Sequence, residues 1–153
     1  MWRFLIAGAL LSAVFAVKLE KCLKKPLPLD FRSTTCDEKI CSVSKSVPVG
    51  FEVDMKITNN TKYIFPSVLL IYDLPDGKIG EVPIEIDFKR GCNHLVSHSC
   101  PLNNGDLITW SFDWDFLPED IFGVGVKFKG EINVIDEFVN PVACFRLKLI
   151  ITE

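Results

Sequence analysis

Histidine is scarce in this 153-residue sequence: His94 and His98 are the only two. Both lie inside GCNHLVSHSC, between Cys92 and Cys100, with a spacing that superficially resembles a metal site. With those cysteines paired to each other, two neutral ligands remain, and zinc takes three or four. They are read as exposed loop residues. Motifs of catalysis are missing too. There is no GxSxG elbow, no HExxH and no phosphate-cradling glycine loop. Asp113 and Asp115 form a carboxylate pair on one strand face. They alternate outward from an aromatic face and read as solvated rather than catalytic. No catalytic residue, metal or cofactor is expected.

Positive charge is also in short supply, with 17 Lys and Arg against 20 Asp and Glu and a net charge of -3. No basic stripe exists, so nucleic acid is excluded as a partner. Long apolar runs are missing after residue 16. Residues 1–16, MWRFLIAGALLSAVFA, carry Arg3, then an apolar run ending in small residues at Val14 and Ala16. The run falls short of the roughly 18 residues that span a bilayer and fits a secretory signal cleaved before Val17. The remainder, 17–153, is expected to be soluble and amounts to one domain. It contains no repeat, linker or low-complexity tract.

No segment keeps a 3.6-residue period over three turns, which leaves strands. In LITWSFDWDFL, residues 107–117, the even positions Ile108, Trp110, Phe112, Trp114 and Phe116 are apolar. The odd ones, Thr109, Ser111, Asp113 and Asp115, are polar, so a strand presents a dry face and a wet one. Residues 51–57, 122–128 and 145–151 alternate likewise, with Phe51, Val53, Met55 and Ile57, then Val124, Val126 and Phe128, then Phe145, Leu147, Leu149 and Ile151 in phase. Val68–Tyr72 is continuously apolar and reads as a central strand, joined through the turn Leu74–Lys78 to a strand over 79–86. A weak strand is expected near Cys22 or Phe31, and residues 130–141 read as a loop. Six or seven strands with turns between them predict an antiparallel sandwich. No cysteine pair brackets a tryptophan at immunoglobulin spacing, so its staples lie at the edges.

Six cysteines behind a secretory leader read as a disulfide framework in an oxidising compartment. Fifteen connectivities are open. The spacing favours two local loops, Cys36–Cys41 and Cys92–Cys100, with a long closure Cys22–Cys144. Asn59-Asn60-Thr61 is an N-glycosylation sequon in a turn-prone cluster, and Asn59 is the candidate acceptor.

The order of Cys22, then CDEKIC, then GCNHLVSHSCPL, then Cys144 within VACFRLKLI closely resembles the ML-domain lipid-recognition family. That family includes the soluble cholesterol carriers of the Niemann–Pick type C pathway and the group-two mite allergens. Cys100-Pro101-Leu102 and Val82-Pro83, ten residues before Cys92, add to a likeness running from Cys22 to Thr152. The resemblance implies an immunoglobulin-like β-sandwich with a lipid pocket between two antiparallel sheets and no enzymatic activity. It implies the same three pairings, Ile84 at the pocket mouth, and Val53, Met55, Ile57, Trp110, Phe112 and Trp114 pointing inward. Leu70, Tyr72, Phe116, Val124, Val126 and Phe128 complete the candidate lipid-contacting set. The sequence departs from the cholesterol carriers at the pocket entrance. The Cys92–Cys100 loop is longer, the segment after Leu117-Pro118 shorter, and the stretch before Cys144 longer.

The expectation is therefore a monomeric secreted or endolysosomal lipid carrier for a sterol, fatty acid or similar ligand. Hand-off to a membrane or receptor partner goes with that role. The alternative is an immune or chemosensory accessory protein, presenting a microbial lipid or small hydrophobic signal from the same cavity.

Overall fold

The computed structural model describes residues 17–44, 49–114 and 123–153, without the side chain of Trp114. The expected leader 1–16, together with Asp115, Phe116, Leu117-Pro118 and Phe122, lies outside the described residues. In chain order the elements are β1 (Glu20–Lys21), β2 (Asp30–Ser33), β3 (Cys41–Val43), β4 (Val49–Lys56), β5 (Ile64–Asp73) and β6 (Ile79–Ile84). A short helix α1 (Lys89–Asn93) follows, then β7 (Leu107–Trp114), β8 (Lys127–Asp136) and β9 (Pro141–Ile151).

Period-two patterning sorts these strands into two sheets whose apolar faces meet. The larger runs β1-β9-β8-β5-β6, and β3 lies parallel along the far part of β9. The smaller runs β2-β4-β7. All other pairings are antiparallel. This is the expected antiparallel β-sandwich. The core consists of the in-phase residues, among them Val53, Met55, Leu70, Trp110, Phe112, Ile132, Phe145, Leu147 and Leu149, each at most 2 % exposed.

Turn chemistry sets the hairpins. Between β5 and β6 the amide of Leu74 donates to Lys78 O, and Gly77 takes φ +79°, a conformation that only glycine adopts without strain. On the outer face of the small sheet Arg32 forks onto both oxygens of Asp54, at 2.7 and 2.8 Å, and Thr109 Oγ1 donates to Asp54 at 2.7 Å. One carboxylate thus ties β2, β4 and β7 together.

Two expectations are corrected. The strand foreseen over 122–128 begins at Lys127 and continues to Asp136, through residues foreseen as a loop. Its inward positions are Phe128, Gly130, Ile132, Val134 and Asp136. A glycine and an aspartate in that series interrupt the hydrophobic signal although the backbone period is unbroken. The extra length pairs with β5 and β9 on both sides. Val124 accordingly falls in a turn ending at Gly125 (φ +86°) and stands 60 % exposed, so it does not face the core. The second correction is α1, a helix too short to show any period.

All three disulfides, Cys22–Cys144, Cys36–Cys41 and Cys92–Cys100, are present. Cys144 faces away from Phe145 and is nonetheless fully buried, because the N-terminal segment covers it. Its amide donates to Pro26 O at 2.8 Å. Among the described residues no helix is long and apolar enough to cross a membrane.

Candidate functional site

Most of the small sheet's inner face comes from β4 and β7 in register, with Phe31 added from β2. Phe51 lies opposite Phe112, Val53 opposite Trp110, and Met55 opposite Ile108. Direct opposition on one face brings side chains into contact, and aromatic pairs gain most from it. Phe51 is the hub of the resulting ring cluster. Its centroid lies 5.1 Å from Phe112 in a stacked pair, 5.4 Å from Phe31 and 6.2 Å from Trp110. From the opposite sheet Phe145 meets Phe51 edge-on at 5.8 Å and Phe31 at 5.7 Å. The two sheets therefore touch ring to ring at Phe145.

The β7 margin is closed differently. Gly91 of α1 sits so close to Ile64 O of β5 that a Cβ there would collide with the backbone. The indole N–H of Trp110 donates to Arg90 O at 2.9 Å, and the Arg90 guanidinium lies 5.4 Å above the Phe112 ring. That guanidinium also donates to Asp113 O at 2.9 Å. Beyond the helix, Val96 N donates to Thr109 O, and Ser111 N to His94 O. The loop stapled by Cys92–Cys100 thus covers the free edge of β7, which would otherwise offer unpaired backbone groups.

Val53, Met55, Ile57, Leu70, Trp110, Phe112 and Phe128 converge between the sheets, all nearly fully buried. Tyr72, Ile84 and Val126 are partly buried against that core. Val124 stands apart, Trp114 is placed only by its backbone opposite Val49, and Phe116 lies outside the described residues. Phe31, Phe51, Phe145 and Arg90 belong to the same assembly, although sequence did not single them out for it. Phe51 and Phe145 carried the right phase. Phe31 sat in a weak strand, and Arg90 gave no signal.

The buried polar side chains of the described residues are Thr61 and Asp136, together at one end of the sandwich. The Asp136 carboxylate accepts N–H groups of Phe138 at 2.9 Å and Asn140 at 2.8 Å. Burial pushes its pKa up, but these bonds and those from the Asn140 and Asn59 side chains outweigh it and hold the group below its ordinary value. It fastens the β8–β9 turn. His98 pairs with Ser97 at 3.0 Å, and the one cluster of potential metal ligands among the described residues is Cys22, Glu131 and Cys144, whose cysteines are disulfide-bonded. An apolar interior of this kind excludes water and holds apolar surface.

No protein-family profile matches the chain, and no curated protein does. A solved structure does: the crystal structure of a Niemann-Pick type C2 protein from Japanese carpenter ant, with a TM-score of 0.68. The fold is the ML-domain fold of the Niemann–Pick type C2 kind. The match covers 88 % of this chain and 99 % of that one at 17 % sequence identity. At that identity the Niemann–Pick type C2 likeness is one of architecture, and the side chains filling the sandwich are this chain's own.

Proposed function

We propose that this protein binds one lipid between its two sheets and carries it through an aqueous compartment without chemical change. The observation that carries this reading is the meeting of two predominantly apolar inner faces, rich in rings, on the Niemann–Pick type C2 fold, with the buried Asp136 set at one end. Affinity would come from burial, about 25 cal/mol per Å² of apolar ligand surface, less the cost of ordering. A ligand enters by parting Phe145 from Phe51 and Phe31, and Ile84 at the end of β6 stands at the mouth. Sterols and fatty acids are the ligand classes proposed. Secretion after removal of residues 1–16, glycosylation at Asn59, a monomeric state and hand-off to a membrane or receptor belong to the same proposal. Three disulfides suit an oxidising compartment.

Mass spectrometry of lipids extracted from the purified protein, with titration by a fluorescent sterol and a fluorescent fatty acid, tests it. Binding should quench Trp110 and weaken in Ile84→Asp, whose half-buried position tolerates the change. A protein that is reproducibly empty and displaces neither probe would overturn the proposal.

A further inference from the structure

The outer face of the larger sheet carries a hollow of about 310 Å³ lined by Ile71, Asp73, Ile79, Lys127, Lys129, Arg146 and Lys148, with Ile40 ahead of β3 and Tyr72, Phe128 and Leu149 of the inward series also reaching it. Strand alternation puts Ile71, Ile79, Lys127, Lys129, Arg146 and Lys148 on the face opposite the ring cluster. Lys129 and Lys148 stand directly opposite each other on β8 and β9. Like charges so placed destabilise a sheet. Glu20 relieves the pair, reaching Lys129 Nζ at 2.8 Å and Lys148 Nζ at 3.4 Å. Arg146 is held by Glu131 at 2.7 Å. Lys127 is exposed and has no acid within ion-pair distance among the described residues. Four cations, Lys127, Lys129, Arg146 and Lys148, thus face three carboxylates, Asp73, Glu20 and Glu131, and the hollow keeps one surplus positive charge on a chain whose net charge is -3.

Its wall is apolar. Ile79 is 65 % exposed there, and Ile71 and Ile40 flank it. A single exposed aliphatic is ordinary, but Ile79 with the half-buried Ile71 and Ile40 around one concavity beside lysines matches a molecule with a charged head and a greasy body. We infer that this hollow is a second binding site, taking a single-chain amphiphile with an anionic head, of the medium-chain carboxylate class. Lys127 and Lys148 are diagonal neighbours across the strand pair, about 7–8 Å apart at the backbone, a gap their long side chains close on one carboxylate. The volume lies at the low end of the roughly 300–1,000 Å³ typical of small-ligand pockets, which suits a short alkyl tail better than a fused ring system.

Decanoate, titrated below its micellar concentration into uniformly ¹⁵N-labelled protein, tests the site. The amides of Ile71, Lys127, Lys129 and Lys148 should shift together, and decanol should leave them unmoved. Lys127→Ala with Lys148→Ala should weaken decanoate binding here about tenfold, the loss expected for charge-assisted bonds. The double Arg variant should retain it. Trp110 fluorescence reports the space between the sheets separately, so failure at one site is distinguishable from failure at the other. Equal shifts with decanol, unchanged affinity in the Ala variant, shifts confined to 51–57 and 108–112, or binding to anionic vesicles with none to monomeric decanoate would each overturn the second site.

Discussion

The indole N–H of Trp110 donates to the backbone carbonyl of Arg90 at 2.9 Å, fastening a strand of the small sheet to the helix that packs on the large one. Trp110 is fully buried, so its removal takes the indole donor from that carbonyl and leaves space in the core. Trp110→Phe should destabilise the protein by about 1–3 kcal/mol, from the lost hydrogen bond and the smaller ring in a packed core. Urea unfolding reads the loss, and hydrogen exchange should quicken across residues 89–96. An unchanged midpoint would show that the bond does not hold the helix.

Gly91 tests the other side of the same junction. In Gly91→Ala the new methyl would run into Ile64 O, which is backbone and has little room to retreat. Overpacking of this sort costs about 1–3 kcal/mol or more. Thermal unfolding of the variant should show a clearly lowered Tm, while Gly77→Ala should act through backbone strain alone, since nothing lies near its added Cβ. A fully stable Gly91→Ala would mean that α1 is free to shift.

The Asp54 network makes stability depend on pH. Arg32's hydrogen bonds hold the Asp54 carboxyl below its ordinary value, against partial burial and with help from Thr109. A depressed folded-state pKa contributes stability that is present above the unfolded value, about 4, and lost as pH falls through the lower folded one. Asp54→Asn should therefore flatten the acid limb of the stability curve measured by urea unfolding between pH 5 and 2 (titration range chosen about the carboxylate values). At neutral pH its cost should be about 1 kcal/mol, because the Arg32 and Asp54 side chains remain 37 % and 32 % exposed. An unaltered acid limb would count against the network.

The disulfides should differ in worth. Cys22–Cys144 closes 122 residues of sequence separation and Cys36–Cys41 closes 5. Loop-closure entropy gives about 5 kcal/mol for the former and about 2 kcal/mol for the latter. Replacing both partners by serine in each bridge, then comparing unfolding midpoints, checks the order. A reversed order would show that local geometry outweighs chain entropy here.

Strand phase was legible wherever side chains alternated without a break. Residues 51–57, 108–112 and 145–151 show it, and there the backbone period and the hydrophobic period coincide. The cysteine order, read as a resemblance, carried the architecture and the three pairings of the folded protein. Beyond Phe128 the reading failed, because Gly130 and Asp136 occupy inward positions that tertiary contacts alone justify. Gly130 lies opposite Leu70 on β5 and Leu147 on β9, and Asp136 is satisfied by the turn that follows it.

By itself the chain determined which faces would be dry, since alternation is a local property of each strand. Only the tertiary structure decided which dry faces meet. Phe31, Phe51 and Phe145 come from three distant segments, and no local signal encodes that their rings touch. The same holds for Arg90 over Phe112 and for Lys129 opposite Lys148, relations set by strand order and register. Period places a side chain on a face; the packing of one sheet against the other gives that face its neighbours.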